Sequence, residues 1–280
     1  MKVTFYGTRG SLATPGEGTV RYGGNTSCVA VWGEGGSLLV LDAGTGIRAL
    51  GEAVERGLGR VDILLTHLHM DHIQGLGFFD PLFWPDLEVH LWGPSSTTLN
   101  LHTRLSRYLS PPLFPVRLRD LPCNLTLHDV VEERRFSPPG FEVEAGLVCH
   151  PGPTVGYRIE EAGRVLCYLP DHEPLLGTSE LPASRRWIPG LALAEGADLL
   201  IHDAQYSDDE YPDYVGWGHS STSAALAFAE AAGVGQLVPF HHDPWHTDAI
   251  LDEMYCGLQS SRELPFAITP ASEGQSIQVG

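Results

Sequence analysis

The chain has 280 residues, with 35 Asp and Glu against 17 Lys and Arg, so its formal net charge at neutral pH is −18. This charge repels polyanions at long range and disfavours long nucleic acid as a partner. With 42% hydrophobic residues, the chain can form a large core, and we expect a single domain over residues 1–280. The sequence has no apolar run of membrane-spanning length and no signal-peptide pattern, so it predicts a cytoplasmic protein without a membrane partner.

The first part of the chain alternates predicted strands with a helix. Glycines lie where a strand passes into the helix, and Gly57 ends that helix. Such alternation is typical of an α/β layer. The predicted elements are strands Lys2–Tyr6, Cys28–Trp32 and Ser37–Leu41, helix Ile47–Arg56, and strand Val61–Leu65.

The most informative motif follows this last strand, where residues 66–72 read Thr-His-Leu-His-Met-Asp-His. On an extended segment His67 and His69 point to the same side, so both can bind one cation. Asp71 and His72 come after the chain has turned and suit a second cation nearby. This division of ligands is typical of two-metal hydrolytic sites, and packing gives no reason to gather such groups here.

An arginine-rich segment follows. Residues 89–119 contain no Asp or Glu, which makes them a local positive island in an acidic chain. Ser95 or Ser96 can cap a helix there, and the prolines at 111–115 end it. We expect a lid inserted around residues 95–120. The alternative is a solvated helix face whose arginines pair with nearby carboxylates. The arginines of this segment are Arg104, Arg107, Arg117 and Arg119.

The second part of the chain repeats the alternation of strands and helices. Residues 121–159 read as short strands, and Ser220 or Ser221 can cap an alanine-rich helix that ends at Ala232. We expect the last two strands to complete the second layer. The remaining elements are strands Val165–Leu169, Asp198–Ile201 and Gln236–Phe240, helices Leu191–Gly196 and Thr247–Leu258, and closing strands Pro265–Thr269 and Gln275–Val279.

The cysteine pattern indicates no disulfide framework and no metal site. Their number is odd, they are scattered, and they form no C-x-x-C pair. The sequence therefore predicts neither a disulfide framework nor a thiolate zinc site.

The H-x-H-x-D-H motif after a strand resembles the signature of the metallo-β-lactamase-fold hydrolases. From the first strand to about residue 250, the chain is similar to their ribonuclease Z and cyclic-phosphodiesterase-like branch. This resemblance implies an α/β fold, α+β in some schemes, in the form of a four-layer αββα metallo-β-lactamase sandwich.

The resemblance also implies the rest of a metal site. His150 matches a ligand of the first cation, and Asp171 matches the carboxylate that bridges the two. His241 matches the last ligand of the second cation, although the adjacent His242 stays open as the alternative. The implied set is His67, His69 and His150 on one cation, Asp71, His72 and His241 on the other, and Asp171 between them.

Two further residues match a proton-donating pair of the ribonuclease Z-like branch. His219 stands just ahead of a helix cap, and Asp203 takes a position where ribonuclease Z usually has Glu. The shorter Asp side chain leaves this pairing open. In the implied mechanism a metal-bridging hydroxide attacks phosphorus, Asp71 orients it, and His219, steered by Asp203, protonates the leaving oxygen.

We therefore expect a dinuclear metal-dependent hydrolase, in the first place a phosphodiesterase that acts on a small or cyclic phosphodiester or an RNA end. A carboxylic ester, lactone or thioester hydrolase on the same site is the alternative, and a metal-stabilised binding or sensor domain is a third hypothesis. Ribonuclease Z itself is disfavoured because only 20 residues separate His150 from Asp171, where that enzyme commonly carries its tRNA-gripping arm. The expected cofactors are two divalent ions, zinc in the first place, with manganese or iron open. The physiological substrate and a homodimer also stay open.

Overall fold

The computed structural model describes residues 1–131, 134–178, 180–261 and 264–280. Fourteen strands and six α-helices are assigned within these ranges. The strands are β1 Lys2–Gly7, β2 Cys28–Trp32, β3 Leu38–Leu41, β4 Arg60–Leu64, β5 Glu88–Pro94, β6 Asn124–Val130, β7 Arg135–Phe136, β8 Glu142–Leu147, β9 Val155–Glu161, β10 Arg164–Leu169, β11 Leu199–Asp203, β12 Gln236–Phe240, β13 Ala267–Ile268 and β14 Ser276–Gln278. The α-helices are α1 Ile47–Ala53, α2 Met70–Ile73, α3 Leu101–Leu105, α4 Leu191–Ala194, α5 Thr222–Ala232 and α6 Asp248–Ser261.

The strands form two seven-stranded sheets. The first has the order β14-β1-β2-β3-β4-β5-β6, and the second has the order β13-β12-β11-β10-β9-β8-β7. Strands β3 to β6 run parallel in the first sheet, and β10 to β13 run parallel in the second. The carboxyl ends of parallel strands meet at one edge of a sheet, and the site described below lies there.

Alternating side chains divide the apolar residues into three clusters. On β2, Val29 and Val31 face the opposite sheet, whereas Cys28 and Ala30 face the outer helices. On the second sheet, Tyr168 points into the space between the sheets and Cys167 points toward α4 and α5. Strands that are buried on both faces read as continuous apolar runs, which is why the sequence shows little alternation there. The result is the expected four-layer αββα sandwich.

Three details differ from the sequence-based expectations. The last strand, β14, pairs with β1 in the first sheet and therefore does not complete the second layer. Strand β5 was not predicted, although Val89 and Leu91 alternate with less apolar neighbours. The helix expected after Ser95 or Ser96 is one short turn, α3, and its cap is Asn100, whose side chain accepts from the Thr103 amide at 2.9 Å.

The segment 95–120, expected as a lid, packs on the outer face of the first sheet through Leu101, Leu105 and Phe114. Arg104 donates to the Pro94 carbonyl and lies 3.5 Å from Asp129. Arg104 therefore pairs with a nearby carboxylate, as in the alternative to a lid that the sequence left open. None of the helices in the described ranges is long and apolar enough to span a membrane.

Candidate metal centre

Four strand ends bring polar side chains to one edge of the sandwich. His67 and His69 follow β4, His150 follows β8, and Asp171 follows β10. His241 comes directly after β12 and has a left-handed backbone, with φ of 62°. A non-glycine residue in this region is uncommon, and such strain concentrates at functional sites.

The three histidines expected on the first cation lie together. The ligand atoms of His67, His69 and His150 are all within 4.8 Å of one another. Within this set, His150 Nε2 lies 3.2 Å from His69 Nδ1.

The second expected set also lies together. His241 Nε2 is 3.2 Å from His72 Nε2 and 3.2 Å from Asp71 Oδ2, and His72 Nε2 is 3.3 Å from the same oxygen. Atoms bound tetrahedrally at zinc distances lie roughly 3.3 Å from one another. The spacing of these side chains therefore fits a bound transition metal.

Asp171 lies between the two sets and turns one oxygen to each. Its Oδ2 is 3.6 Å from His150 Nε2 and 3.8 Å from His67 Nε2. Its Oδ1 is 3.1 Å from His72 Nε2 and 3.4 Å from His241 Nε2. This is the arrangement expected of a bridging carboxylate.

Hydrogen bonds behind the rings determine which nitrogen faces the centre. Asp42 Oδ2 accepts from His72 Nδ1 at 2.8 Å, and the Gly218 carbonyl accepts from His150 Nδ1 at 2.9 Å. Gln205 Oε1 accepts from His241 Nδ1 at 2.9 Å. In the neutral rings the Nε2 lone pairs then point inward, as in metal-ligating histidines.

This arrangement tests whether a cation fits. Two inward lone pairs at 3.2 Å, on His72 and His241, repel each other unless a cation or a proton lies between them. His67 Nε2 is buried and has no hydrogen-bond partner among the described residues. Buried polar atoms are normally satisfied, so an unpaired nitrogen here fits the role of a metal ligand.

The field at the centre is strongly negative. Burial lowers the pKa of His72, but Asp171, Asp71 and Asp42 more than offset this and raise it well above its ordinary value. Burial raises the pKa of Asp171, but the surrounding histidines hold it well below its usual range. Asp171 is therefore ionised, and the same field attracts a divalent cation.

Asp203 and His219 form a close pair beside the centre. His219 Nδ1 donates to Asp203 Oδ2 at 2.6 Å, so the shorter side chain does reach. The amides of His172, Gln205 and Ser220 also donate to this carboxylate, at 3.0 to 3.2 Å. Burial lowers the pKa of His219, but Asp203 outweighs it and raises the pKa to about 9. The contact with Asp203 therefore favours a proton on His219.

The adjacent histidines His242 and His172 are turned away from the centre. His242 Nε2 donates to the Ala271 carbonyl at 2.8 Å, and Tyr255 donates to its Nδ1 at 3.0 Å. His172 Nε2 donates to the Pro189 carbonyl at 3.0 Å. Burial lowers the pKa of each ring to about 3, so both are neutral structural residues. Of the two histidines left open after β12, the structure brings His241 into the cluster.

Glu173 was missed in the sequence and holds the loop that carries His219. It is buried, and its carboxylate accepts from the Tyr211 hydroxyl at 2.8 Å, from the Gly216 amide at 2.9 Å and from the Gly218 amide at 2.8 Å. Gly218 is also the residue whose carbonyl orients His150. One carboxylate thus fixes the geometry of two site histidines without contacting either.

Replacing Glu173 by Gln should therefore weaken the centre. In Gln, one carboxylate oxygen becomes an NH2 group, which is a donor. It cannot accept from the backbone N–H groups of Gly216 and Gly218, so the loop must shift. We expect metal affinity and kcat to fall by roughly 10- to 100-fold, as for other residues that orient ligands. Glu195→Gln is the control, because the Glu195 side chain is exposed and pairs with the exposed Arg185. Equal metal affinity in both variants, measured by titration with zinc, would contradict this role.

Position 10 requires glycine because the backbone there passes close to the His241 ring. A Cβ atom at Gly10 would lie 2.4 Å from two atoms of the imidazole. Gly10→Ala should displace this ring and lower metal affinity by about tenfold or more. Gly35→Ala, at a position with no atom within 4 Å of the added Cβ, is the matched control. A Gly10→Ala protein that binds metal as the control does would show that the ring has room to move.

Sequence reasoning also missed Gln205, which fixes the tautomer of His241. Its Nε2 donates to Asp243 Oδ2 at 3.1 Å, which leaves Oε1 to face the ring. The only available signal was its position two residues after Asp203, at the end of β11. Asp42 likewise supports the site from behind, through its bond to His72 Nδ1.

Comparison with known proteins agrees with this geometry. Residues 38–242 match the family described as the beta-lactamase superfamily domain. The chain belongs to this superfamily. It is 30% identical to a ribonuclease Z from Myxococcus xanthus, over 88% of each protein.

Two solved structures show the same fold as this superfamily member. The metallo-beta-lactamase fold protein YhfI from Bacillus subtilis aligns with a TM-score of 0.69 and 19% identity, over 99% of this chain and 98% of that one. The short form of human tRNase Z aligns with a TM-score of 0.70 and 23% identity, over the full length of both chains. The protein is therefore a metal-dependent hydrolase with the metallo-β-lactamase fold, and its family implies bound divalent metal ions.

Proposed function

We propose that this superfamily member is a dinuclear phosphodiesterase that cleaves a small or cyclic phosphodiester. The observation that carries the proposal is Asp171, which turns one carboxylate oxygen toward each of two ligand sets next to a charged Asp203–His219 pair. Two-metal hydrolysis of a phosphodiester needs a shared ligand and a proton donor for the leaving oxygen.

The ligand roles follow from the two clusters. His67, His69 and His150 would hold one divalent ion, and Asp71, His72 and His241 would hold the other. Zinc fits this nitrogen and carboxylate set, and manganese or iron is also compatible with it. Bound ions would lower the pKa of water near to neutrality and neutralise negative charge that develops on the phosphoryl oxygens.

The other catalytic steps use this chain's own residues. Asp71 accepts from the Ser11 amide at 2.7 Å, and in this fixed position it would orient the nucleophile. His219 holds a proton that it can donate through Nε2, because Asp203 binds Nδ1. Asp203 stabilises the charged ring before the transfer and keeps its orientation.

A small substrate is proposed even though the similar proteins are named for RNA processing. Strands β9 and β10 are joined by the two residues 162 and 163, so the chain between His150 and Asp171 is a tight hairpin without room for an RNA-binding arm. The net charge of −18 also opposes a polyanion.

The test is hydrolysis by metal-quantified protein. We expect turnover of bis(p-nitrophenyl) phosphate and of a 2′,3′-cyclic nucleotide, loss of both after chelation, and recovery when zinc or manganese is added. A p-nitrophenyl thioester should be a much poorer substrate. Turnover of the thioester alone would contradict the proposal in favour of acyl hydrolysis, and no turnover of any of these would indicate a binding domain.

A further inference from the structure

The loops that carry the candidate centre expose large apolar side chains. Trp245 is 85% exposed, Trp217 is 61% exposed, Leu12 is 57% exposed and Met70 is 51% exposed. Single exposed apolar residues are ordinary, but here each of four chain segments that support the site presents one. We call these four residues the apolar rim.

Chain position and hydrogen bonds connect the apolar rim to the site. Met70 lies between His69 and Asp71 in the chain, and Leu12 follows Ser11, whose amide binds Asp71. The Trp245 amide donates to Asp243 Oδ1 at 2.8 Å, and Asp243 binds the Gln205 side chain that orients His241.

Trp217 is connected through a row of aromatic rings. The Tyr206 ring lies 6.1 Å from His219, Tyr214 stacks on Tyr206 at 4.4 Å, and Trp217 meets Tyr214 edge-on at 5.5 Å. The row leads outward from the proton donor to an exposed indole. An indole face in such a position binds planar or apolar groups.

The same loops offer no free positive charge to a second phosphate. Residues 8–27, 66–75, 149–154, 170–178, 204–221 and 241–247 contain no Lys and two Arg, which are Arg9 and Arg21. Arg9 is fully buried and donates to the carbonyls of Gly23, Asp243 and His246. Arg21 is paired with Asp252 at 2.5 Å.

Negative charge is present at the same loops. Asp209 and Asp213 are exposed on the loop that carries Trp217. A substrate with further phosphates would meet these carboxylates and no counter-charge from the loops.

We propose that the substrate is a phosphodiester whose ester arms are apolar or aromatic and carry no further charge, and that Trp217 and Trp245 bind those arms. This inference rests on the proposed phosphodiesterase function and names its substrate class. The apolar rim would thus bind the ester arms of the substrate.

The experiment measures the preference for two aryl arms over one. The probes are bis(p-nitrophenyl) phosphate and methyl p-nitrophenyl phosphate, and the quantity is the ratio of their kcat/KM values. A variant with both Trp217→Ala and Trp245→Ala should lower this ratio by about tenfold, as expected when aromatic stacking is lost. The intrinsic reactivity of the two esters cancels when variant and wild type are compared.

Trp187→Ala is the matched control, because Trp187 is 72% exposed but lies in the turn 185–187 beside the outer helical layer. It should leave the ratio unchanged. An unchanged ratio in the double variant would overturn the inference. If the ratio is unchanged and the oligomeric state changes, the apolar rim is a dimer contact.

A short RNA oligonucleotide supplies the second test. We expect it to be a poorer substrate than the diaryl ester at equal concentration. A higher kcat/KM for the RNA, lost on replacing Arg107 and Arg117 by Ala, would overturn the inference and indicate that the arginine segment receives phosphates. If metal-replete protein cleaves no phosphodiester at all, the proposed function itself fails.

Discussion

Replacing Asp171 by Asn is expected to lower kcat/KM on phosphodiesters by at least about a thousandfold. The shape of the side chain is kept, but one oxygen becomes an amide group that cannot bind a cation. The shared negative charge is lost as well, so two like-charged ions would no longer be held together. Metal-assisted charge stabilisation contributes several kcal/mol, and each 1.4 kcal/mol corresponds to a factor of ten in rate.

Metal binding provides a separate measurement of this effect. A ligand that binds only the folded state raises the melting temperature, so zinc should stabilise the wild type. Asp171→Asn should lose most of this increase and most of its bound metal. Asp120→Asn is the control, because Asp120 is exposed and contacts only Arg119 among the described ion pairs. Full metal content in Asp171→Asn would show that Asp171 is not a bridging ligand.

Replacing His219 by Ala is expected to lower kcat by about 100- to 10,000-fold on substrates with an alkoxide leaving group, the range for loss of general acid catalysis. The metal content should stay at the wild-type level, because His219 supports the reaction without holding an ion. A 2′,3′-cyclic nucleotide is a suitable substrate, since its leaving oxygen is an alkoxide that requires a proton.

The leaving group separates this role from a structural one. p-Nitrophenolate departs without protonation, so His219→Ala should affect bis(p-nitrophenyl) phosphate much less than the cyclic nucleotide. Asp203→Asn should show the same pattern, because Asp203 holds the charged ring at 2.6 Å. Equal losses on both substrates, or loss of metal in His219→Ala, would contradict the assignment of a proton donor.

The local parts of the site could be predicted from the sequence because its residues are close in the chain. His67, His69, Asp71 and His72 lie within six positions, and the change from strand to helix divides them between two cations. His150, Asp171 and His241 carry no such local signal. They were predicted through resemblance to a known family, and the parallel strand ends explain why the fold brings them together.

The residues that orient the ligands could not be predicted in this way. Glu173 and Gln205 act through contacts with loops that lie more than 30 residues away in the chain. No periodicity marks such contacts, since they depend on how two loops meet. The same reason explains β14, whose sequence indicates a strand but not the sheet that it joins.

The central claim is that two metal ions occupy the space around Asp171. Anomalous X-ray scattering at the zinc absorption edge, from crystals of zinc-replete protein, tests it most directly. We predict two peaks about 3.5 to 4 Å apart, one among His67, His69 and His150 and the other among Asp71, His72 and His241, with Asp171 bound to both. A single peak, no peak, or peaks away from these side chains would contradict the account.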